Sequence, residues 1–112
     1  MAIQNTQVGG GYTDILTVPA GKSWAVTTIL FCNTALPEEI YTDGADTFLD
    51  LHFCVGGVAA EDGNQVLNSI PIPAGETFSF DTEKIILEEG DVVKAATTSP
   101  TNITATVSYI EV

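Results

Sequence analysis

The sequence contains no arginine, a single histidine and a single tryptophan, and its only basic side chains are Lys22, Lys84 and Lys94. Against these three stand 15 Asp and Glu, a formal net charge of −12 over 112 residues. Nucleic-acid binding needs Lys or Arg to neutralise phosphates, so direct contact with DNA or RNA is excluded as a function class. An anionic membrane surface would repel this chain as well. Long hydrophobic runs are also missing. The longest, Ile29-Leu30-Phe31-Cys32, has four residues, far short of the roughly 20 that span a bilayer as a helix. The first residues, MAIQNTQVGGG, have no basic and apolar leader pattern, so the expectation is a chain without a signal peptide. No segment repeats apolar residues at i, i+3, i+4 and i+7, which removes the helical signal. Only two cysteines are present, Cys32 and Cys54, each within an apolar run. The expectation is two reduced, mostly buried side chains rather than a disulfide or a metal pair.

What remains is a β pattern. Apolar residues make up 45% and charged residues 16%, a balance that argues for a folded core and against disorder. The length suits one domain, which would bury roughly 65% of the surface of its unfolded chain. Ten glycines and five prolines cut the chain into short segments rich in Thr, Val and Ile. Strands are expected at 13–18, 23–32, 47–55, 65–72, 77–80, 85–87, 92–97 and 103–112. Pro19-Ala20-Gly21 and Pro73-Ala74-Gly75 read as turns, with proline at the first central position and glycine closing. In 47–55, Leu49, Leu51, Phe53 and Val55 alternate with Phe48, Asp50, His52 and Cys54. In 23–32 both faces are fairly apolar, which points to a central strand or to an outer face that meets a partner. The predicted fold is all-β, a single antiparallel β-sandwich of about eight strands, jelly-roll or Ig-like. It spans residues 12–112, and residues 1–11 form a flexible N-terminal arm ahead of it, because a triple glycine does not open a strand.

Residues suited to catalysis are few. The only histidine, His52, could serve a Ser–His–Asp or Cys–His arrangement, but no Gly-x-Ser-x-Gly elbow is present. Cys54 lies two residues along the same strand face, about 7 Å away, too far for a direct pair. His52, Cys54 and Asp50 share a face without converging on one ion. Glu38, Glu39, Asp43, Asp46 and Asp50 crowd a long acidic segment, yet "DGADTFLD" does not keep the EF-hand spacing. No strand–glycine loop–helix phosphate cradle is present. Trp24, Tyr12, Tyr41 and Tyr109 are the aromatic residues that could stack on a sugar, although a lone Trp in a strand is more often core or interface. The expectation is a non-enzymatic protein without cofactor or metal.

The C-terminal half resembles small virion proteins of tailed bacteriophages, notably those infecting cyanobacteria. The resemblance rests on Pro73-Ala74-Gly75, the strand Thr77–Phe80, Leu87-Glu88-Glu89-Gly90-Asp91, Val92-Val93 and Ser108-Tyr109-Ile110-Glu111. The stretch "VPAGKSWAVTTILFCNT" is similar to the opening strand pair of such proteins. Together these cover about two-thirds of the chain, and the acidic segment 36–47 departs from the pattern. The resemblance implies a structural part of the virion, assembled in the host cytoplasm, and transfers no catalytic residue. It leads to the expectation of a capsid decoration or cement protein, with a tail, neck or fibre part as the alternative and a glycan-binding module as a further one. The expected partners are the major capsid protein, other virion proteins and further copies of the chain, a trimer among the symmetric forms. The expected contact residues are Met1, Ala2, Ile3, Gln4 and Val8 in the arm, Trp24, and Glu38, Glu39, Tyr41 and Asp43 in the acidic segment.

Overall fold

Strand pairing in the computed structural model is nested, with first against last and second against seventh. The structure describes residues 2–34, 47–98 and 103–112, with backbone alone at 82–84. Eight strands lie among them: β1 (Ala2–Val8), β2 (Thr13–Thr17), β3 (Trp24–Asn33), β4 (Thr47–Cys54), β5 (Gln65–Ile72), β6 (Thr77–Leu87), β7 (Val92–Thr97) and β8 (Ile103–Glu111). They form two four-stranded sheets, β1-β8-β3-β6 and β2-β7-β4-β5. Every strand pair is antiparallel. This is the order of a jelly roll, in which a long hairpin of four strands out and four back is wound into a sandwich.

Two expectations are corrected. Residues 2–8 are not an arm but strand β1, paired with β8 from Ala2↔Tyr109 to Val8↔Ile103. The polar sequence of β1 concealed it: it faces solvent along most of its length, so it lacks the apolar alternation of a half-buried strand. The separate strands expected at 77–80 and 85–87 are one strand, β6. Its ladder with β3 runs from Cys32↔Thr77 to Trp24↔Leu87, with a register shift beside Thr27.

Against β8, Thr27 is the extra residue of a bulge in β3, between Val26↔Tyr109 and Thr28↔Ser108. Its hydroxyl donates to the Ser108 carbonyl at 3.0 Å and shares a 2.8 Å bond with Ser108 Oγ. The bulge reverses the alternation expected for β3. Val26 now points inward with Ile29 and Phe31, and all three are buried in the common core with Leu49, Leu51, Val93 and Val107. Phe53 and Phe80 meet edge to face across the two sheets, centroids 6.0 Å apart.

The turns share one design. Lys22 N–H donates to the Pro19 carbonyl, Glu76 N–H to Pro73, and Asp91 N–H to Glu88. In each, the third residue is a glycine at positive φ: Gly21 at 77°, Gly75 at 79°, Gly90 at 85°. These are type II turns, where only glycine takes that backbone without strain. Proline therefore stands at the first corner, one position earlier than expected. Two side chains tie the turns to the sheets. Buried Asn33, at the end of β3, donates through Nδ2 to the Ile72 carbonyl at 2.8 Å. Asp91 accepts from Gly56 N–H at 2.8 Å and from Glu88 N–H at 2.9 Å.

Candidate interaction surfaces

Charge is unevenly spread within one sheet, where β6 carries Asp81, Glu83 and Lys84 and its other three strands carry almost none. Strands β1, β3 and β8 are neighbours in one sheet, and Glu111 is their only charged residue. Alternation places Ile3, Leu30, Ile86 and Ile110 on the outer face of that sheet, among Thr28, Thr104, Thr106 and Ser108. Ile3 is 64% exposed, Leu30 41% and Ile86 52%. A face of aliphatic and hydroxyl side chains meets another protein without stripping water from charges, and the cores of protein interfaces are depleted of charge for that reason. On the other sheet Asp14, Lys94 and Asp50 are present, and Lys94 Nζ lies 3.5 Å from Asp14 Oδ1.

The outer face of β4 holds His52, expected to lie outward or at an interface. It is outward of the sheet yet only 2% exposed. The segment after β4 covers it. Asn64 Oδ1 lies 2.7 Å from His52 Nδ1 and also accepts from Glu61 N–H at 3.0 Å. Asn64 Nδ2 donates to the Ala59 carbonyl at 3.0 Å. Those two backbone bonds fix the amide orientation, so Nδ1 of His52 donates to Asn64 Oδ1. The Tyr12 ring meets the imidazole edge-on, centroids 5.0 Å apart. Nε2 is buried without a hydrogen-bond partner.

An oriented imidazole with one ring nitrogen left unpartnered is part of a Cys–His–Asn set. The nucleophile does not complete it. Burial pushes the Cys54 thiol up, outweighing the opposing effect of Lys94, whereas a reactive cysteine needs its thiolate favoured and accessible. Cys54 is buried and Cys32 half-buried, and both are free thiols. They lie in different sheets, on strands whose alternation turns them to opposite outer faces. Among the described residues no group of three His, Cys, Asp or Glu side chains could hold a metal ion. His52 and Asn64 thus act as a latch that fastens the 55–64 segment over β4.

A third feature lies at one end of the sandwich. Trp24 and Tyr109 stack with centroids 4.3 Å apart and planes 29° from parallel. With Ala2, Ile110 and Glu111 they line an open recess of about 310 Å³. Lys22 Nζ pairs with Glu111 Oε2 at 3.2 Å.

The expected contact residues separate accordingly. Ala2 lines the recess and Ile3 lies on the neutral face. Gln4 turns inward, its Nε2 donating to the Ile15 carbonyl at 3.1 Å, and so ties β1 to β2. Val8 is a correction: its side chain is fully buried in the core beside Ile103 and offers no side-chain contact to a partner. Trp24 is half-buried and packs on Tyr109. Met1, Glu38, Glu39, Tyr41 and Asp43 lie outside the described residues, as does most of the acidic segment. Sequence reasoning missed Asn33, Asn64 and the neutrality of β1, β3 and β8 taken together. The last was readable strand by strand, but only the sheet order makes it one surface. No protein-family model matches the chain, and no curated protein matches it either.

Proposed function

We propose that this chain is a non-enzymatic structural protein of a tailed-phage virion, a capsid decoration protein that binds the outer capsid surface and stabilises it. The observation that carries the reading is the segregation of charge: three adjacent strands with Glu111 as their only charged residue, in a chain of net charge −12. The nearly uncharged patch of β1, β8 and β3 can seat on another protein while the acidic remainder faces solvent and keeps the particle surface soluble. Jelly rolls serve in viral capsids and also in lectins, so the fold is compatible with the reading without deciding it. In this reading the partners are the major capsid protein or other virion proteins, with no role for nucleic acid or membrane. Quantitative mass spectrometry of purified particles tests it. Copies in proportion to the major capsid protein are the expected result. A few copies per particle would move the chain to the tail, neck or a fibre, and absence from particles would overturn the virion reading.

A glycan-binding module is the second reading, supported by the Trp24–Tyr109 stack in its open recess. Aromatic faces stack on sugars, and Glu111 beside them can accept hydroxyl hydrogen bonds. Glycan-array binding that disappears in Trp24→Ala, with thermal stability retained, would favour this reading over the first.

A further inference from the structure

Each sheet of an open sandwich has two edges, and an unpaired edge strand is a template for another strand. Three of the four edges here are blocked. Strand β2 is five residues long, carries Asp14, shifts register at Ile15, and has its Ile15 carbonyl occupied by Gln4. Strand β5 contains Pro71, two register shifts and Ser69 at a positive φ of 54°. Strand β6 carries Asp81, Glu83 and Lys84 and is interrupted opposite Thr27. Strand β1 lacks the charge, the proline and the register shift that mark the others. Its seven residues, AIQNTQV, include no charge, no proline and no glycine. Its pairing with β8 runs without a shift. Among the described residues no strand pairs with its other side.

We infer that β1 is a dimerisation edge, and that its occupant is β1 of a second copy of this chain, added antiparallel about a two-fold axis. Charge selects that occupant. Two chains of net charge −12 repel wherever carboxylates meet, and β1 with its neighbours β8 and β3 is where the surface is neutral. Antiparallel pairing of a strand with itself is isologous, the commonest closed arrangement of identical subunits. All seven residues pair only when the central one, Asn5, lies opposite its own copy, with Ile3 opposite Gln7 and Ala2 opposite Val8. The two sheets then merge into one of eight strands whose outer face is neutral across the seam. Main-chain hydrogen bonds supply the affinity, as in strand addition generally. The inference holds whether or not the chain belongs to a virion.

The test is sedimentation equilibrium of the full chain at physiological salt, with Asn5→Lys, Asn5→Glu and their equimolar mixture alongside. Asn5 is exposed, and its contact within the chain is a 2.8 Å hydrogen bond from Thr106 Oγ1, so both variants keep the core; circular dichroism and thermal melts check that they do. The expected result is a dimer of the natural chain that tightens as added salt screens the repulsion. Like charges facing each other at the axis should weaken it by about five- to tenfold in either variant alone, and the mixture should recover it. A natural chain that stays monomeric at high micromolar concentration overturns the inference. A dimer indifferent to both substitutions, or not recovered by mixing, overturns it too, because its seam then lies elsewhere.

Discussion

Replacing Asp91 by alanine removes the acceptor of two backbone N–H groups in one step, and its effect can be worked from the geometry. Gly56 N–H and Glu88 N–H reach the two carboxylate oxygens at 2.8 and 2.9 Å. Hydrogen bonds to charged groups contribute about 1.5–3 kcal/mol each in stability measurements. Gly56 and Glu88 are exposed, so water replaces part of what is lost, and the lower end applies. Loss of one carboxylate beside Glu88 and Glu89 also relieves repulsion, which offsets a few tenths of a kcal/mol. The expected net destabilisation is about 2 kcal/mol, or a fall of roughly 8 °C in melting temperature for a domain of this size. Asp91→Asn keeps one acceptor oxygen and should lose about half as much. Glu89→Gln removes the same charge two residues away in the same turn and should leave the melting temperature unchanged or slightly raised. Thermal melts by circular dichroism read all three. A fall below about 2 °C in Asp91→Ala, or equal losses in the Asn and Gln variants, would show that these bonds do not hold the corner.

Other outcomes follow from the buried polar groups. His52→Ala should destabilise the chain by about 2–3 kcal/mol through loss of the Asn64 bond and the Tyr12 contact, and proteolysis should then cut first within 55–64; an unaltered cleavage pattern would refute the latch. A thiol reagent should modify Cys32 before Cys54 in the folded chain, and mild oxidation should leave both unpaired within one chain; simultaneous modification would contradict the burial of Cys54. The Cys54 thiol is raised above its ordinary value of 9.0 by burial, so the folded chain holds that proton more tightly than the unfolded one. Its effect on stability is therefore absent below about pH 9 and destabilising above it. Denaturant titrations of Cys54→Ala should show a shallower loss of stability in that alkaline range than the natural chain, and identical slopes would refute the assignment.

Much of the sandwich was legible because its signals were local. Alternation marked β4, runs of Thr, Val and Ile between turn residues marked β2, β7 and β8, and Pro-Ala-Gly marked the corners at Gly21 and Gly75. Where the reading failed, a distant partner decides the structure. Strand β1 is polar because its solvent side and its edge are both open, and it exists only because β8, a hundred residues later, offers a ladder. The inward turn of Val26 depends on a bulge at Thr27, and nothing in "AVTTIL" marks which threonine is extra. The same holds for the candidate surfaces. The sequence shows Trp24 as an aromatic in a strand, but its stacking on Tyr109 needs β3 and β8 to be neighbours. Its strand face turns His52 outward, while the burial of His52 depends on Asn64 returning from the next segment.

The nested pairing also bears on how the chain reaches its fold. Ala2 must find Tyr109, Leu16 must find Val93, and Trp24 must find Leu87 and Glu111. Almost no ladder can close early, and topologies built from such distant contacts fold slowly, on the order of milliseconds to seconds. On the ribosome, β1 and β3 emerge long before β8, the strand that separates them in the finished sheet. Until then the neutral, unguarded strand that the finished protein presents at its rim has no neighbour on either side. Crowded nascent chains of this protein are thus most exposed to one another at a strand made about a hundred residues before its partner.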